Sequence, residues 1–421
     1  MGSFHQEFWL SEGQGQTRTE RKSGAYQYYL PTKLSDLKFS LETDVVSDIV
    51  RAERALLEST SSQNTLAEID GLSRFLLRAE AISSSFIEGL QLGSKRLMQA
   101  ELNEVEPCTF KPDKTANEII GNIKALRSAL DMASKTADLE LVDILSIHRS
   151  LLKATTSERF GGKLREVQNW IGGNSYNPLN AQHIPPAPAY VDELLEDLIA
   201  YANRTDISPV LQAALVHAQF ETIHPFIDGN GRSGRALIHL VLKRRGLLGA
   251  FVPPISLLLA TYSQSYLEGL NSLRFSGKQP DEQAMEAVNE WISFFSGCCL
   301  RACNEINGFR ETAQKKEAVW RKELEPIRKN SALDRMLGCL MGMPIFSVNS
   351  MAAGLGQSYQ SVNIAIERLV MAGIAKPMSA AKRNRVYEVP DALDAFRLFE
   401  RQLASPLGDT KVSAPARPVP Y

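Results

Sequence analysis

A succession of helical patterns fills the middle of this sequence and leaves little room for an extended sheet. Apolar residues recur there at spacings of three and four, and Gly, Pro, Asn or Asp residues bound each pattern. The patterns cover Glu118–Met132, Leu139–Leu152, Val191–Asn203, Pro209–Ile223, Ser233–Arg245, Tyr262–Arg274 and Asp281–Cys303. Amphipathic helices in series bury their apolar faces on one another, so we predict an all-α central domain.

The region before these helices is also predicted to be helical. Residues 1–25 are polar with little periodicity, so we expect a loose arm ahead of Tyr26–Pro31. Periodic apolar residues then run from Leu41 to Glu58 and from Leu66 to Ala79. Residues 1–109 are therefore assigned to a helical N-terminal domain.

The C-terminal region has a different pattern, in which a charged helical connector at 305–330 precedes a short unit at 331–400. The helical segments of this unit are Ala332–Met341, Val348–Leu355 and Gln360–Ala372. A strand-like segment with a basic tip follows, and Ile364, Leu369 and Val370 are expected to form a small core. This order predicts a winged helix-turn-helix. Residues 401–421 are polar and Pro-rich, which predicts a disordered tail.

Length and composition limit the function classes. The 421 residues exceed what one core usually organises, and 44% apolar with 23% charged residues is typical of a packed soluble protein. Lys plus Arg (47) balances Asp plus Glu (48), so the whole molecule has no strong attraction to nucleic acid or membrane. Five cysteines without zinc-type spacing and the lack of an export signal, lipid anchor or membrane span predict a cytoplasmic protein with free thiols.

A long loop interrupts the helices between Phe160 and Pro188. It is rich in Gly, Asn and Pro, which favours a loop that contains a short extended flap. Its charged residues Lys163, Arg165 and His183 are expected to be solvated.

The segment from His224 to Arg235, HPFIDGNGRSGR, has the parts of a phosphate site. Gly229 and Gly231 flank Asn230 and allow the backbone to approach an anion closely. Their N–H groups lie where the next helix begins and contributes partial positive charge. A polyphosphate is the ligand that this arrangement favours.

The charged residues of the same segment suit the remaining tasks of phosphate chemistry. Arg232 and Arg235 can each hold phosphate oxygens through a planar fork, and Asp228 is a suitable carboxylate for Mg²⁺. His224 titrates near neutrality and can accept a hydroxyl proton. We assign Phe226 to the core.

The other histidines near this segment are expected to be structural. His217 lies two helical turns before His224, about 10 Å away, which is too far to share a metal ion without other ligands. His148 and His239 receive the same interpretation.

At every defined position the segment matches the signature His-Pro-Phe-x-Asp/Glu-Gly-Asn-Gly-Arg-x-x-Arg, and the chain therefore resembles the Fic family over about residues 110–300. The resemblance implies a Fic-type helical domain at 110–304 with a short β flap, and a protein adenylyltransferase that moves AMP from Mg-ATP to a Ser, Thr or Tyr hydroxyl of a protein, itself included. It implies that the flap at Ala181–Pro188 aligns the target by strand addition. The implied roles are base for His224, Mg²⁺ ligand for Asp228, and nucleotide binding for Gly229, Asn230, Gly231, Arg232 and Arg235.

A second motif resembles the inhibitory pattern Ser/Thr-x-x-x-Glu-Gly of this family, with Ser84, Glu88 and Gly89 at its defined positions. The resemblance implies that Glu88 pairs with Arg235 and competes with the γ-phosphate of ATP. The family also commonly has a Tyr-Tyr pair for the adenine base. Here Tyr266 is followed by Leu267, so Tyr266 alone is carried over as a base-binding residue.

Several alternatives stay open at this point. The presumed recognition helix has one arginine and the wing offers Lys382, Arg383 and Arg385, so DNA binding and protein contact are equally favoured, and a homodimer would double those charges. A DNA-binding regulator that senses nucleotide through its Fic domain is one alternative function. Removal of AMP, with Glu88 positioning a water molecule, is another.

Overall fold

The computed structural model describes residues 2–60, 66–106, 110–135, 138–277, 281–378, 385–408 and 410–419. Helices dominate these ranges, with two small sheets, so the predicted helical fold class is confirmed. The elements in the first part of the chain are β1 (Gly2–Trp9), β2 (Gly24–Pro31), α1 (Thr43–Thr60), α2 (Leu66–Ile87), α3 (Ser94–Val105), α4 (Lys114–Ala133), α5 (Leu141–Leu152), α6 (Val191–Ala202), α7 (Pro209–Ile223) and α8 (Asn230–Arg244). Those that follow are α9 (Ile255–Thr261), α10 (Ser263–Ser272), α11 (Glu282–Glu323), α12 (Ala332–Cys339), β3 (Ile345–Ser347), α13 (Val348–Leu355), α14 (Tyr359–Met371), β4 (Lys376–Pro377), β5 (Val386–Glu388) and α15 (Pro390–Leu403).

Close contacts divide the chain into two units that are each assembled from separate segments. Unit 1 comprises Met1–Glu53, Ala125–Gly246 and Gln264–Gly297. Unit 2 comprises Arg54–Lys124, Leu247–Ser263 and Cys298–Tyr421. Within the described ranges, no helix combines the length and the apolar character that a membrane span requires.

Helices α7 and α8 form the centre of unit 1. Ser208 caps α7 by accepting a hydrogen bond from the Leu211 N–H at 3.3 Å, and Pro209 occupies the first helical position, where no N–H is needed. Every residue of α7 from Val210 onward is buried, as is α8 from Asn230 to Leu242. Helices surrounded on all sides by protein hold the segment between them in a defined position.

The N-terminal arm is a β-ribbon, so the prediction of a loose arm is wrong. Strand β1 pairs antiparallel with β2, with Gly2 opposite Pro31 and Trp9 opposite Gly24. Aromatic contacts across the ribbon stabilise the pairing, with the rings of Phe4 and Tyr29 5.2 Å apart. The sequence of β1, GSFHQEFW, lacks the regular apolar and polar alternation that identifies a half-buried strand, and its Phe4 side chain is exposed.

The C-terminal region of unit 2 contains the helices α12 to α14 and a three-stranded antiparallel sheet in the order β3, β5, β4. Leu369 of α14 is buried as predicted, but Ile364 is 53% exposed and does not belong to the core. Of the predicted wing charges, Arg385 is exposed, whereas Lys382 and Arg383 lie outside the described residues. The winged-helix interpretation stays a prediction.

The end of the chain makes ordered contacts, which run against the predicted disorder of residues 401–421. Helix α15 extends to Leu403, and the Ala416 N–H donates to the Ala404 carbonyl at 2.7 Å. Ser405 and Arg417 are both buried. The segment has few apolar residues, so its composition did not predict that it packs against other residues of unit 2.

The cysteines that the structure describes are Cys298, Cys299, Cys303 and Cys339, and all of them are buried free thiols. Burial raises the pKa of the Cys298 thiol to about 12. These thiols pack as small apolar groups.

Candidate active site

The candidate base lies in the turn between the two central helices. Helix α7 ends at Ile223, and His224 adopts a left-handed conformation with φ 49° and ψ 61°. Its N–H donates to the Phe220 carbonyl at 2.9 Å. The left-handed region is costly for a residue with a side chain, so surrounding contacts must hold this conformation. The imidazole is 18% exposed and is therefore accessible to a substrate from one side.

Arg165 from the long loop holds the backbone of this turn. Its Nε donates to the His224 carbonyl at 2.9 Å and its Nη2 donates to the Ile223 carbonyl at 3.3 Å. The N–H of Arg165 also donates to the Pro225 carbonyl at 2.9 Å. The side chain is 3% exposed, and burial lowers its pKa to about 10. The expectation of a solvated charge is wrong for Arg165, although Lys163 is exposed as predicted.

Amide side chains close the loop that follows His224. Asn230 accepts from the Phe226 N–H at 2.8 Å through Oδ1 and donates to the Phe226 carbonyl at 2.8 Å through Nδ2. Asn169 Nδ2 donates to the same Phe226 carbonyl at 2.9 Å and to the His224 carbonyl at 3.2 Å. The side chain of Asn230 therefore shapes the loop, which differs from its predicted contact with phosphate. Asn169 was not identified from the sequence.

His148 supports the loop from helix α5 and is structural, as predicted. Its ring stacks on Phe226 with centroids 3.6 Å apart and 6° between the planes. Nδ1 accepts from the Gly162 N–H at 3.0 Å, so Nε2 carries the proton and donates to the Asp228 carbonyl at 2.9 Å. Burial lowers the pKa of His148 to about 4, so the ring is neutral at neutral pH.

The N-terminus of α8 faces the end of this loop. Gly229 precedes the helix with φ 78°, and a Cβ at this position would lie 2.9 Å from Leu151 Cδ2, so glycine is required for both conformation and space. The first amides of a helix lack partners inside that helix. Here they belong to Asn230, Gly231 and Arg232. These amides lie at the helix end that the sequence analysis proposed as an anion site, and anion binding there stays a prediction.

Charged side chains surround this helix end. Arg232 and Arg235 are 4% and 1% exposed, while the Asp228 carboxylate is 43% exposed and lies 3.6 Å from Arg232 Nη2. In the described part of the chain, no group of three or more His, Cys, Asp or Glu side chains could hold a metal ion. A single accessible carboxylate nevertheless fits Mg²⁺, because this ion takes its other ligands from water and phosphate.

A carboxylate that the sequence analysis missed lies behind the candidate base. Glu221 Oε2 is 3.9 Å from His224 Nδ1, and Glu221 Oε1 is 4.0 Å from His217 Nδ1. Glu221 is 6% exposed, so its charge acts at close range with little screening by water. An acidic residue three positions before a histidine at a helix end was the available signal.

Tyr266, the residue predicted to bind the adenine base, is buried, and its predicted role stays a prediction. It is 2% exposed, and its hydroxyl lies 2.9 Å from His217 Nε2. The rings of Tyr266 and His217 stack at 5.9 Å, and the Trp291 ring lies 6.2 Å from that of Tyr266. Burial first, and then the charge of Arg235, lower the pKa of His217 to about 3. Tyr266 and His217 therefore belong to the core of unit 1.

The flap at 181–188 is present as a single antiparallel bridge between Ile171 and His183. Consecutive flap carbonyls already accept hydrogen bonds within unit 1. The donor and acceptor pairs are Ile171 N–H to His183 at 2.8 Å, Tyr29 N–H to Ile184 at 2.9 Å, Gln168 Nε2 to Pro185 at 2.9 Å and Arg165 Nη2 to Pro186 at 2.5 Å. The open edge that strand addition requires is thus occupied by the protein itself.

His183 is also buried rather than solvated, because it is 6% exposed and its Nε2 lies 3.1 Å from the Thr222 carbonyl. Burial first, and then the charge of Arg274, lower its pKa well below the ordinary value. The expectation of a solvated charge is therefore wrong for His183.

The Ser84–Gly89 motif lies at the end of helix α2 in unit 2. Ser84 is buried on the helix, and Glu88 lies in the turn after Ile87, with an exposed side chain. Gly89 has φ 83°, which favours glycine at this position. Asn122 Nδ2 donates to the Ala81 carbonyl at 3.0 Å and to Ser85 Oγ at 3.2 Å, and so fixes the last turns of the helix that carries the motif.

Comparison with known proteins gives two family matches. The sequence model of the Fic/DOC family matches residues 138–242, and that of the Fic/DOC family N-terminal region matches residues 46–131. A Fic family protein from Desulfovibrio desulfuricans G20 has a similar fold, with a TM-score of 0.50, 20% identity and coverage of 84% of this chain and 98% of that protein.

Two curated relatives are similar in sequence. Protein adenylyltransferase fic-1 of Caenorhabditis briggsae is 32% identical over 250 residues, which cover 57% of this chain and 45% of that protein. Protein adenylyltransferase Fic of Drosophila grimshawi is 28% identical over 210 residues, covering 48% of this chain and 41% of that protein. The chain thus spans less than half the length of each relative. The signature loop, the fold and both family matches agree: residues 138–242 match a Fic/DOC domain, and residues 46–131 before it match the N-terminal region of that family.

Proposed function

We propose that this chain is a protein adenylyltransferase that transfers AMP from ATP to a Ser, Thr or Tyr hydroxyl of a protein, including its own. The observation that carries the proposal is the placement of His224, which is partly accessible in a rigid turn, next to a glycine-capped helix N-terminus with two buried arginines. The names of the curated relatives support the same reaction and imply ATP as the substrate.

In the proposed reaction, His224 accepts the proton of the target hydroxyl as its oxygen forms a bond to the α-phosphorus of ATP. The bond from this phosphorus to the bridging oxygen breaks, and pyrophosphate leaves with that electron pair. Glu221, buried 3.9 Å behind His224 Nδ1, stabilises the imidazolium that forms. The amides of Gly229 to Gly231 and the forks of Arg232 and Arg235 hold the phosphates, so positioning and charge stabilisation supply most of the rate.

Asp228 is the residue that would hold Mg²⁺, because its carboxylate is accessible at the phosphate end of the loop. A bound Mg²⁺ would neutralise charge on the polyphosphate. Asp228→Ala is expected to remove the dependence of transfer on Mg²⁺, and retention of that dependence would exclude this role.

The proposed base is tested with His224→Ala. The variant should lose transfer while keeping nearly normal ATP affinity, because the imidazole handles the proton and not the phosphates. Transfer of label from ATP and calorimetric affinity are measured side by side. An equal loss of both quantities would assign His224 to binding instead.

We further propose that Glu88 restrains this activity by competing with the γ-phosphate for Arg235. A charged hydrogen bond of this kind is worth about 1.5–3 kcal/mol, which corresponds to roughly a ten- to hundredfold effect. Glu88→Gly should raise self-labelling, and the double variant with Arg235→Ala should behave like Arg235→Ala alone. If Glu88→Gly labels itself no faster than the wild type, the inhibitory role of Glu88 is refuted, whereas the proposed transferase activity is not affected by that result.

For the C-terminal region at 331–400 we propose contact with a protein rather than with DNA. Ile364 and Met371 of α14 are exposed apolar residues, whereas its arginine, Arg368, donates to the Leu324 and Pro326 carbonyls. Gel-shift titrations should therefore show no DNA binding at moderate salt. Binding that weakens steeply with salt and on Arg385→Ala would favour DNA.

A further inference from the structure

The C-terminal tail covers the segment that carries the proposed brake. Phe86 lies two residues before Glu88, and the Arg417 guanidinium carbon lies 4.9 Å from the centroid of the Phe86 ring. Arg417 is 5% exposed. A guanidinium over an aromatic face is attracted to it, and more strongly when water is excluded. A residue near the end of the chain is thus in direct contact with the Ser84–Gly89 motif.

Hydrogen bonds within the tail hold Arg417 in this place. The Ala416 N–H donates to the Ala404 carbonyl at 2.7 Å, immediately before Arg417. Ser405 Oγ donates to the Ser413 carbonyl at 2.6 Å, and the Leu407 N–H donates to Ser413 Oγ at 3.1 Å. The tail therefore folds back on the end of α15.

The base of the tail is fixed as well. Arg301 of α11 donates to the Ser405 carbonyl at 2.7 Å and to the Pro406 carbonyl at 2.8 Å. Thr261 Oγ1 donates to the Leu403 carbonyl at 2.8 Å. Since Arg301 and Thr261 belong to other segments of unit 2, these hydrogen bonds restrain residues 403–406.

The charge of Arg417 also acts on a buried carboxyl group. Glu400 of α15 is 2% exposed, and burial raises its pKa to about 7, with the charge of Arg417 acting in the opposite direction. Burial in turn lowers the pKa of Arg417. Each of the two charges is therefore more favourable when the other is present. Removal of Arg417 from this site leaves both Phe86 and Glu400 without their cation.

We propose that residues 410–419 form a latch that holds the Ser84–Gly89 motif in its inhibitory position through the contact of Arg417 with Phe86. This inference rests on the proposed role of Glu88 as a brake. With the latch in place, the end of α2 and the turn that carries Glu88 are held from the side of the tail. Detachment of the tail frees this turn and raises transfer of AMP.

The test uses the full chain with Arg417→Met, which keeps the length of the side chain and removes its charge. Self-labelling from ATP labelled at the α-phosphate should rise about three- to thirtyfold, the range expected for loss of a largely buried cation–π contact. Arg401→Met, at an exposed position of α15, is the matched control and should label like the wild type. Arg417→Met combined with Glu400→Gln removes the carboxyl left without a cation, and should show the same rise with a restored melting temperature.

Combination with Glu88→Gly separates the latch from the brake. If the latch acts through Glu88, Arg417→Met adds nothing to the labelling of Glu88→Gly. An equal rise in both backgrounds would overturn the latch, as would unchanged labelling by the folded Arg417→Met, Glu400→Gln protein. If self-labelling is unchanged in Glu88→Gly, both the proposed brake and the latch are refuted. If self-labelling rises in Glu88→Gly but not in Arg417→Met, only the latch is refuted.

Discussion

The loop from His224 to Arg235 and the flap from Ala181 to Pro188 both lie in unit 1, but they acquire their conformations in different ways. Within the loop, Gly229 permits the left-handed turn before α8, and Asn230 closes the backbone onto Phe226, four residues away. The flap takes its partners from residues that are distant in sequence, such as Tyr29 of β2.

This difference explains why the sequence predicted a phosphate site in the loop, but did not show that the edge of the flap is already occupied. The loop supplies its own turn residue and its own closing amide, so part of its geometry follows from its sequence, although Arg165 and Asn169 of the long loop also hold its backbone. Whether a strand edge is open depends on which other segment reaches it. Here the N-terminal ribbon reaches the flap, and Tyr26 and Tyr28 pack with Ile184 in one apolar cluster.

The largest expected effect comes from opening the loop with Asn230→Ala. The variant loses the hydrogen bonds to both the N–H and the carbonyl of Phe226, and buried groups left in this way cost about 1–3 kcal/mol each. We expect ATP affinity and transfer to fall together by about a hundredfold in total, measured by calorimetry and labelling. Asn180→Ala, at an exposed position beside the flap, is the control and should retain both. Wild-type transfer by Asn230→Ala would show that the loop does not depend on its own closing residue.

A smaller effect is expected from acid, through His148. Its pKa falls from the ordinary 6.5 to about 4 on folding, so the unfolded chain binds more protons in this interval. The free energy of unfolding should therefore fall as the pH is lowered from about 6.5 towards 4, by roughly 2–3 kcal/mol from this group. Urea titrations of the wild type and of His148→Gln across this range measure the slope. If the free energy of unfolding of the wild type changes with pH as little as that of His148→Gln, then His148 does not stabilise the fold as a neutral buried ring.

The smallest effect is expected from loosening the ribbon that covers the flap. Asn177 is buried, and its Nδ2 donates to the Thr19 and Glu20 carbonyls at 2.9 Å each, between β1 and β2. Asn177→Ala should destabilise the ribbon by about 1–2 kcal/mol and speed amide exchange at Ile171 and His183 about tenfold.

The control for this experiment is Tyr29→Phe, which removes only the hydroxyl bond to the Phe275 carbonyl and keeps the N–H that reaches the flap. Exchange at Ile171 and His183 should change little in this variant. Exchange that is equally slow in Asn177→Ala would mean that the flap is closed without help from the ribbon.

Much of the helical organisation and the charged residues of the site could be predicted from the sequence. Helix α7 was expected at Pro209–Ile223 and is found with those bounds, because Ser208, Pro209 and the turn at His224 are local signals for its two ends. The ribbon at Gly2–Pro31 was not predictable in this way. Its first strand is largely exposed, so its stability comes from backbone pairing and contacts with distant side chains.

By itself, the sequence determined the helical class, the resemblance to Fic/DOC proteins and the segment proposed to carry the chemistry, because helix periodicity and the signature loop both depend on residues close together in the chain. Only the tertiary structure decided which residues near the site are buried. Arg165 holds the turn of the candidate base, and Tyr266 is buried against His217. The physical reason is that burial and hydrogen-bond partners depend on segments brought together from far apart, and spacing along the chain carries no record of them.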